Sequence, residues 1–289
     1  MENTKQNIPL QLYHHNQNIF HYFPTLNEGL EVFFVLKGLK SCARQEIHEN
    51  NLARAMSFFD AYGVHYRLSD FKVLEDGAMV ERRSPVEGKF FVYFSLDDGK
   101  AEHAKFYESI KNDEKLGEIL GYPKCCRKFY KDKYDEAYEV GDEYSLLTMA
   151  NSSGFPFQTN YLLRFFGISL MSHFPCSFTC PSSYDEGMAK FEAIRQENPQ
   201  LAGYIRDALR GPVISHVGTG IHALKDYDVF PNGEIGYRDP WMTNQNEMDD
   251  VLKLCNNIKI LNKNHVQFRQ DYNIVDEVKG KHIGAVVFE

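Results

Sequence analysis

Residues 112–134 read NDEKLGEILGYPKCCRKFYKDKY, and here the chain changes character. Asn112 or Asp113 caps a short helix that stops at Gly121. Pro123 then takes the usual first position of a second helix. That places Cys125 and Cys126 in the opening turn of this helix.

Upstream the pattern is mixed. Residues 1–27 are polar with scattered aromatics and read as an arm. EVFFVLKG (31–38) reads as a buried strand ending at Gly38. NNLARAMSFFDAYG (50–63) has a helical apolar period and stops at Gly63. HYRLSDFKVLE (65–75) and KFFVYFSLD (89–97) read as strands joined by a ragged hairpin, and AEHAKFYESIKN (101–112) as a helix. The order β-α-β-β-α predicts a sheet-and-helix sandwich.

Downstream the chain is helical until Pro212. QTNYLLRFFGISL (158–170) is expected to be a helix. SHFPCSFTCPSS (172–183) is a loop with two prolines. Ser183 and Glu186 match a capping box for the helix that follows, and LAGYIRDALRG forms another. Strands then return, with Asn232-Gly233 as a hairpin turn. Residues 246–262 read as an amphipathic helix and HIGAVVFE as a last strand. The expected fold class is α+β: an N-terminal sandwich, a helical cysteine-bearing middle and a C-terminal β-hairpin region. The expected division is an arm (1–27), an α+β subdomain (28–112) and a cysteine-motif domain (113–289). The last two fuse into one domain if the strand-rich ends share a sheet.

Bulk composition narrows the function. The chain has 289 residues, 43% of them hydrophobic, a net charge of −8 and six cysteines. That is enough apolar material for a core without disulfides. The acidic balance argues against bulk nucleic-acid binding, which draws on clustered Lys and Arg. A local patch at Lys124, Arg127, Lys128, Lys131 and Lys133 leaves one RNA loop or a small anionic substrate open as partners. The simpler reading is a solvated face balanced by Asp132, Asp135 and Glu136. No stretch is apolar enough to span a bilayer, and the first residues lack the pattern of a signal peptide. The expectation is therefore a cytoplasmic protein without a membrane partner, its thiols reduced. Oligomeric state is not legible.

The cysteines carry the chemistry. Free N–H groups and the helix dipole at a helix start favour thiolate at Cys125 and Cys126, and Lys124 and Arg127 add to this. The second group is His173-Phe-Pro-Cys176-Ser-Phe-Thr-Cys180. Prolines 175 and 181 restrict its backbone, and His173 adds a nitrogen. The candidate metal ligands are Cys125, Cys126, His173, Cys176 and Cys180. Zinc needs four donors, and an iron–sulfur cluster takes three or four thiolates. Two other readings are a set of small buried hydrophobes and a metal-free thiol oxidoreductase with Cys125 or Cys126 as nucleophile.

The elements GYPKCCRKFY and SHFPCSFTCPSS together resemble those of a family of uncharacterised, mostly prokaryotic proteins catalogued as domain of unknown function 483. Gly121, Tyr122, Pro123, Cys125, Cys126 and Phe129 match its first element. His173, Pro175, Cys176, Ser177, Cys180 and Ser183 match its second, with Ser182 an alternative for the last. The resemblance covers roughly residues 90–225. It implies a shared site and supplies no reaction.

Outside the cysteines, His216 precedes a Gly-Thr-Gly turn, where a catalytic base or further ligand competes with a satisfied strand-end histidine; His222 has the same two readings. His14, His15 and His21 read as surface residues of the arm. Cys42 and Cys255 read as core packing. Arg127 and Arg164 are candidates for binding an anion or cofactor at the site, although Arg164 can equally snorkel. The expected function is metal or iron–sulfur-cluster binding by an enzyme or enzyme subunit. Cys125, His173 and His216 are its catalytic candidates and sulfur transfer one use. The alternatives are a structural zinc in an adaptor protein and the metal-free oxidoreductase.

Overall fold

The computed structural model describes residues 13–14, 17–23, 25–141, 144–243, 246–271 and 273–289. His15 and most of the expected arm lie outside these residues. The fold class is α+β. The chain divides into two compact units: residues 1–122 with 193–201, and residues 123–192 with 202–289.

The first unit holds α1 (Leu26–Leu36), β1 (Ala43–His48), α2 (Glu49–Ala61), β2 (His65–Val73), β3 (Met79–Glu81), β4 (Lys89–Ser95), α3 (Asp98–Ser109) and α4 (Asp113–Ile119). Its antiparallel sheet runs β1-β4-β2-β3. Rings of Phe23, Phe58, Phe59 and Phe94 pack together in its core.

EVFFVLKG is the first correction: residues 31–36 belong to helix α1, and Lys37 is its C-cap. Thr25 accepts the Glu28 N–H, and the Glu28 carboxylate accepts the Thr25 N–H. This reciprocal cap starts a helix whose Leu30, Val32, Phe33, Phe34 and Val35 are all buried. Burial on every side erases the helical period that would separate helix from strand.

The second unit opens with α5 (Lys124–Asp132), α6 (Tyr134–Val140) and α7 (Ser145–Ala150). Pro123 stands one residue ahead of α5 rather than within it, and Cys125 and Cys126 do lie in the first turn. The helix expected over 158–170 is instead two short 3-10 turns, Phe157–Thr159 and Leu162–Phe166. Asn160 interrupts them: its side chain accepts the Leu162 N–H and donates to the Leu209 carbonyl. Then come α8 (Pro181–Glu197) and α9 (Pro199–Leu209).

The remaining strands are β5 (Gly211–His216), β6 (Gly220–Lys225), β7 (Asp228–Val229), β8 (Glu234–Gly236), β9 (Asp239–Met242), β10 (Asn257–Asn262), β11 (His265–Gln270), β12 (Asn273–Lys279) and β13 (Ile283–Phe288). They form two antiparallel sheets, ordered β9-β6-β5-β13 and β12-β11-β10-β8-β7. Among the described residues the strand-rich ends do not share a sheet: the four-stranded sheet of the first unit draws its strands from residues 43–95. Asn232-Gly233 does turn the chain, with Gly233 at φ +77. The helix expected over 246–262 ends early: α10 covers Glu247–Leu254, and 257–262 is strand β10. Ile214, Leu224, Leu252, Ile258 and Phe268 unite both sheets and α10 in one apolar core, which includes Cys255.

One close approach in this unit positions the functional site. Gly284 on β13 has no side chain, and a Cβ there would stand 2.5 Å from the Met149 sulfur and 2.9 Å from Leu146. The glycine lets α7 lie against the strand. From there α7 holds the cysteine loop.

Candidate metal centre

The sulfurs of Cys125, Cys126, Cys176 and Cys180 all lie within 4.8 Å of one another. Cys125 is exposed, Cys176 half-buried, and Cys126 and Cys180 buried. Sγ of Cys125 is 3.9 Å from that of Cys126 and 3.6 Å from that of Cys180, and the Cys126–Cys180 separation is 3.8 Å.

Helix starts and a braced loop bring them together. Cys180 directly precedes Pro181, the first residue of α8, and its carbonyl accepts the Tyr184 N–H. Two helix N-termini thus carry three of the thiols. Cys176 comes from the loop between Met171 and Cys180. There Thr148 donates to the Pro175 carbonyl at 3.0 Å, Asn151 to the Cys176 carbonyl at 2.6 Å, and Ser152 accepts the Phe178 N–H at 2.7 Å. All three side chains come from α7 or the residues just after it. Phe178, between the two loop cysteines, is fully buried against Tyr161 and Phe288. This ring anchors the loop in the core.

A backbone donor reaches the sulfurs as well. The Cys176 N–H points to Cys126 Sγ at 3.3 Å. Such donors favour thiolate. Thiols this close share their protons unequally. Hydrogen bonds from Cys126 and Cys176 pull the Cys180 thiol well below its ordinary range, helped by the Ser183 hydroxyl and backbone. Hydrogen bonds to Cys176 and Cys180, then burial, raise Cys126 correspondingly. The Cys126 contact favours thiolate at Cys176, but Cys180 and burial push that group up to about 12.

Ser183 corrects another expectation. It lies inside α8, so it is not the helix cap. Its hydroxyl instead stands 3.3 Å from Cys126 Sγ and 2.9 Å from His173 Nε2. Nδ1 of His173 faces Glu186 at 3.7 Å, Glu186 pairs with Lys190 at 2.6 Å, and Lys190 donates to the Leu170 carbonyl. His173 and Lys190 are buried. His173 is therefore not one of the grouped donors: it reaches the sulfurs through a hydroxyl. Metal-bound thiolates are commonly oriented by such outer partners.

The other candidates are placed as follows. Arg164 stacks on Phe174, with its guanidinium carbon 4.4 Å from the ring centroid, and also over Phe165 and Tyr161. Phe174 packs in turn on Tyr130 and Tyr144. Arg164 thus braces the residue beside His173 through cation–π contact. Arg127 is half-buried and follows Cys126 on α5. His216 sits at the end of β5, where its Nδ1 meets Thr219, and it is not among the grouped donors. Within the basic patch Lys128 pairs with Asp132 and Lys133 with Glu136. Cys42 packs against Tyr93 and Leu116 in the first unit, and burial pushes its thiol up to about 12.

Comparison with family models, curated proteins and solved structures finds no match. Among the described residues, no helix is long and apolar enough to cross a membrane. Four cysteines close enough to hold a metal are thus the functional statement this chain supports by itself.

Proposed function

We propose that Cys125, Cys126, Cys176 and Cys180 bind one zinc ion, and that this ion is a structural clamp between α5, the cysteine loop and α8. The observation that carries the reading is the sulfur spacing. A tetrahedral site with Zn–S bonds of ~2.3 Å sets its sulfurs about 3.8 Å apart; the separations among Cys125, Cys126 and Cys180 run from 3.6 to 3.9 Å, and Cys176 Sγ lies within 4.8 Å of each. In an iron–sulfur cluster the thiolates end on different irons and stand further apart. Four sulfurs also fill a tetrahedral ion, which is the closed arrangement of structural sites. The uncharacterised family that the GYP-x-CC and H-x-P-C-S elements resemble is proposed to use its cysteines in the same way.

One observation favours a second reading. Cys125 is exposed, whereas Cys126 and Cys180 are buried. If Cys125 leaves the ion, three sulfurs hold it and an open position faces solvent, as catalytic zinc requires. Sulfur transfer would use that position, with Cys125 as the reactive thiolate.

Purification under anaerobic conditions followed by metal analysis tests the main reading. The expected result is one zinc per chain, a colourless protein and a fall in melting temperature on chelation. Cobalt substitution should give the intense visible bands of a tetrahedral tetrathiolate. A brown protein with stoichiometric iron and sulfide would replace zinc with a cluster.

A further inference from the structure

A second group of reactive side chains lies outside the cysteine site, at the β5–β6 hairpin. Val217, Gly218 and Thr219 make its turn, and Gly218 and Gly220 both hold positive φ, +85 and +89. These left-handed positions fold the turn tightly and present Thr219 between two histidines. Thr219 Oγ1 is 2.9 Å from His216 Nδ1 and 3.2 Å from His222 Nε2. Nδ1 of His222 faces Asp249 Oδ1 at 3.4 Å. His222 and Asp249 are 0% and 1% exposed, while Thr219 and His216 are half-buried beside the exposed Gly218.

Neither His222 Nδ1 nor Asp249 Oδ1 has a hydrogen-bond partner within strict geometry. They face each other at 3.4 Å, both buried. Asp249 is held in place. Its other oxygen accepts the Asn246 N–H at the start of α10, and the Asn246 amide donates to the Thr219 carbonyl. One residue thus fixes both ends of the chain of contacts.

Proton accounting sets the direction. A carboxylate facing Nδ1 puts the imidazole proton there and leaves the Nε2 lone pair for the Thr219 hydroxyl. His216 Nδ1–H then donates to Thr219 Oγ1. Burial, offset in part by Asp249, pushes His222 down to about 4, so the ring is neutral and its lone pair free at ordinary pH. The order hydroxyl, imidazole, buried carboxylate is that of an activated nucleophile.

We infer that Thr219 is the nucleophile of a second reactive centre, with His222 as general base and Asp249 as its positioning residue, acting on carboxylic esters. The bond from Oγ1 to the acyl carbon forms as the hydroxyl proton passes to His222 Nε2. The bond from that carbon to the alcohol oxygen then breaks, and this oxygen takes the proton back from Nε2. An acyl-threonine and a free alcohol result. Water repeats the exchange, releasing the acid and restoring the hydroxyl.

The test incubates the whole native protein with p-nitrophenyl acetate and maps the acetyl group by peptide mass spectrometry. Acetylation at Thr219 is expected, with nitrophenol release retained in Thr219→Ser and lost in Thr219→Val. In His222→Gln the rate should fall on the order of 100-fold, as for loss of a general base. In Asp249→Asn the pH profile of the rate should change. Acetyl groups confined to lysines in the wild-type protein would overturn the assignment, as would an undiminished rate in a folded His222→Gln. Acetyl groups on cysteine report the cysteine site and acetyl on Thr219 reports this one, so the two inferences stand or fall separately.

Discussion

Sγ of Cys125 stands 3.6 Å from Sγ of Cys180, a residue 55 positions further along the chain. Neither local sequence nor one helix can make that contact. It needs the start of α5 to meet the start of α8, and the loop carrying Cys176 to close over them. Thiolates held this close repel one another, and a bound cation removes the repulsion. The metal is therefore expected to stabilise the second unit strongly. Saturating zinc at ~1,000 times its dissociation constant contributes about 4 kcal/mol. Cys176→Ala should abolish stoichiometric uptake and lower the melting temperature, as measured by metal analysis and thermal unfolding with and without chelator.

Ser183 separates direct ligation from support. Its hydroxyl, which donates to Cys126 Sγ when that sulfur is a metal-bound thiolate, also stands 2.9 Å from His173 Nε2. Ser183→Ala should keep one metal per chain but weaken affinity by roughly 10- to 100-fold. Competition with a chelator of known affinity measures this. Loss of stoichiometric binding would make Ser183 essential to the fold of the site.

Gly284 links the sheet to the site through α7. A Cβ at this position meets the Met149 sulfur at 2.5 Å. Gly284→Ala should displace α7, cost about 1–3 kcal/mol of stability, and loosen the loop that Thr148, Asn151 and Ser152 hold. Denaturant unfolding gives the first effect and metal affinity the second.

The cysteine set was legible because thiols near a helix start and in a proline-braced loop carry their chemistry in residue type and spacing. His173 was legible as part of the site, but its nitrogen reaches the sulfurs through Ser183, a contact that depends on where α8 begins. Ser183 and Glu186 have the spacing of a cap, yet Pro181 starts the helix two residues earlier. EVFFVLKG misled because all-round burial hides a helical period, although Thr25 and Glu28 carried the correct signal six and three residues ahead of it. Residues 246–262 misled because the apolar positions continue across the break at Cys255, helical on one side and extended on the other. His222 and Asp249 were illegible as a pair, since only the hairpin and α10 bring them together.

The buried His222 predicts acid sensitivity. Its folded value lies near 4, below the ordinary value of 6.5, chiefly through burial. Between these two values the unfolded chain binds a proton that the folded chain refuses. Stability is therefore full above pH ~6.5 and is lost as pH falls toward ~4, by up to about 3 kcal/mol from this group. The difference in unfolding free energy between pH 7 and pH 4.5 should be smaller in His222→Gln than in the wild-type protein.

The capping box of α1 predicts a smaller effect. Thr25→Ala removes the acceptor for the Glu28 N–H and should cost about 1 kcal/mol, read from urea denaturation without change in metal content.

X-ray absorption at the zinc and iron edges tests the central claim most directly. Protein purified anaerobically from cells supplied with both iron and zinc should carry one zinc with four sulfur neighbours at ~2.3 Å and no nearby metal. Iron with a short iron–iron distance, or zinc bound mainly by nitrogen and oxygen, would contradict it.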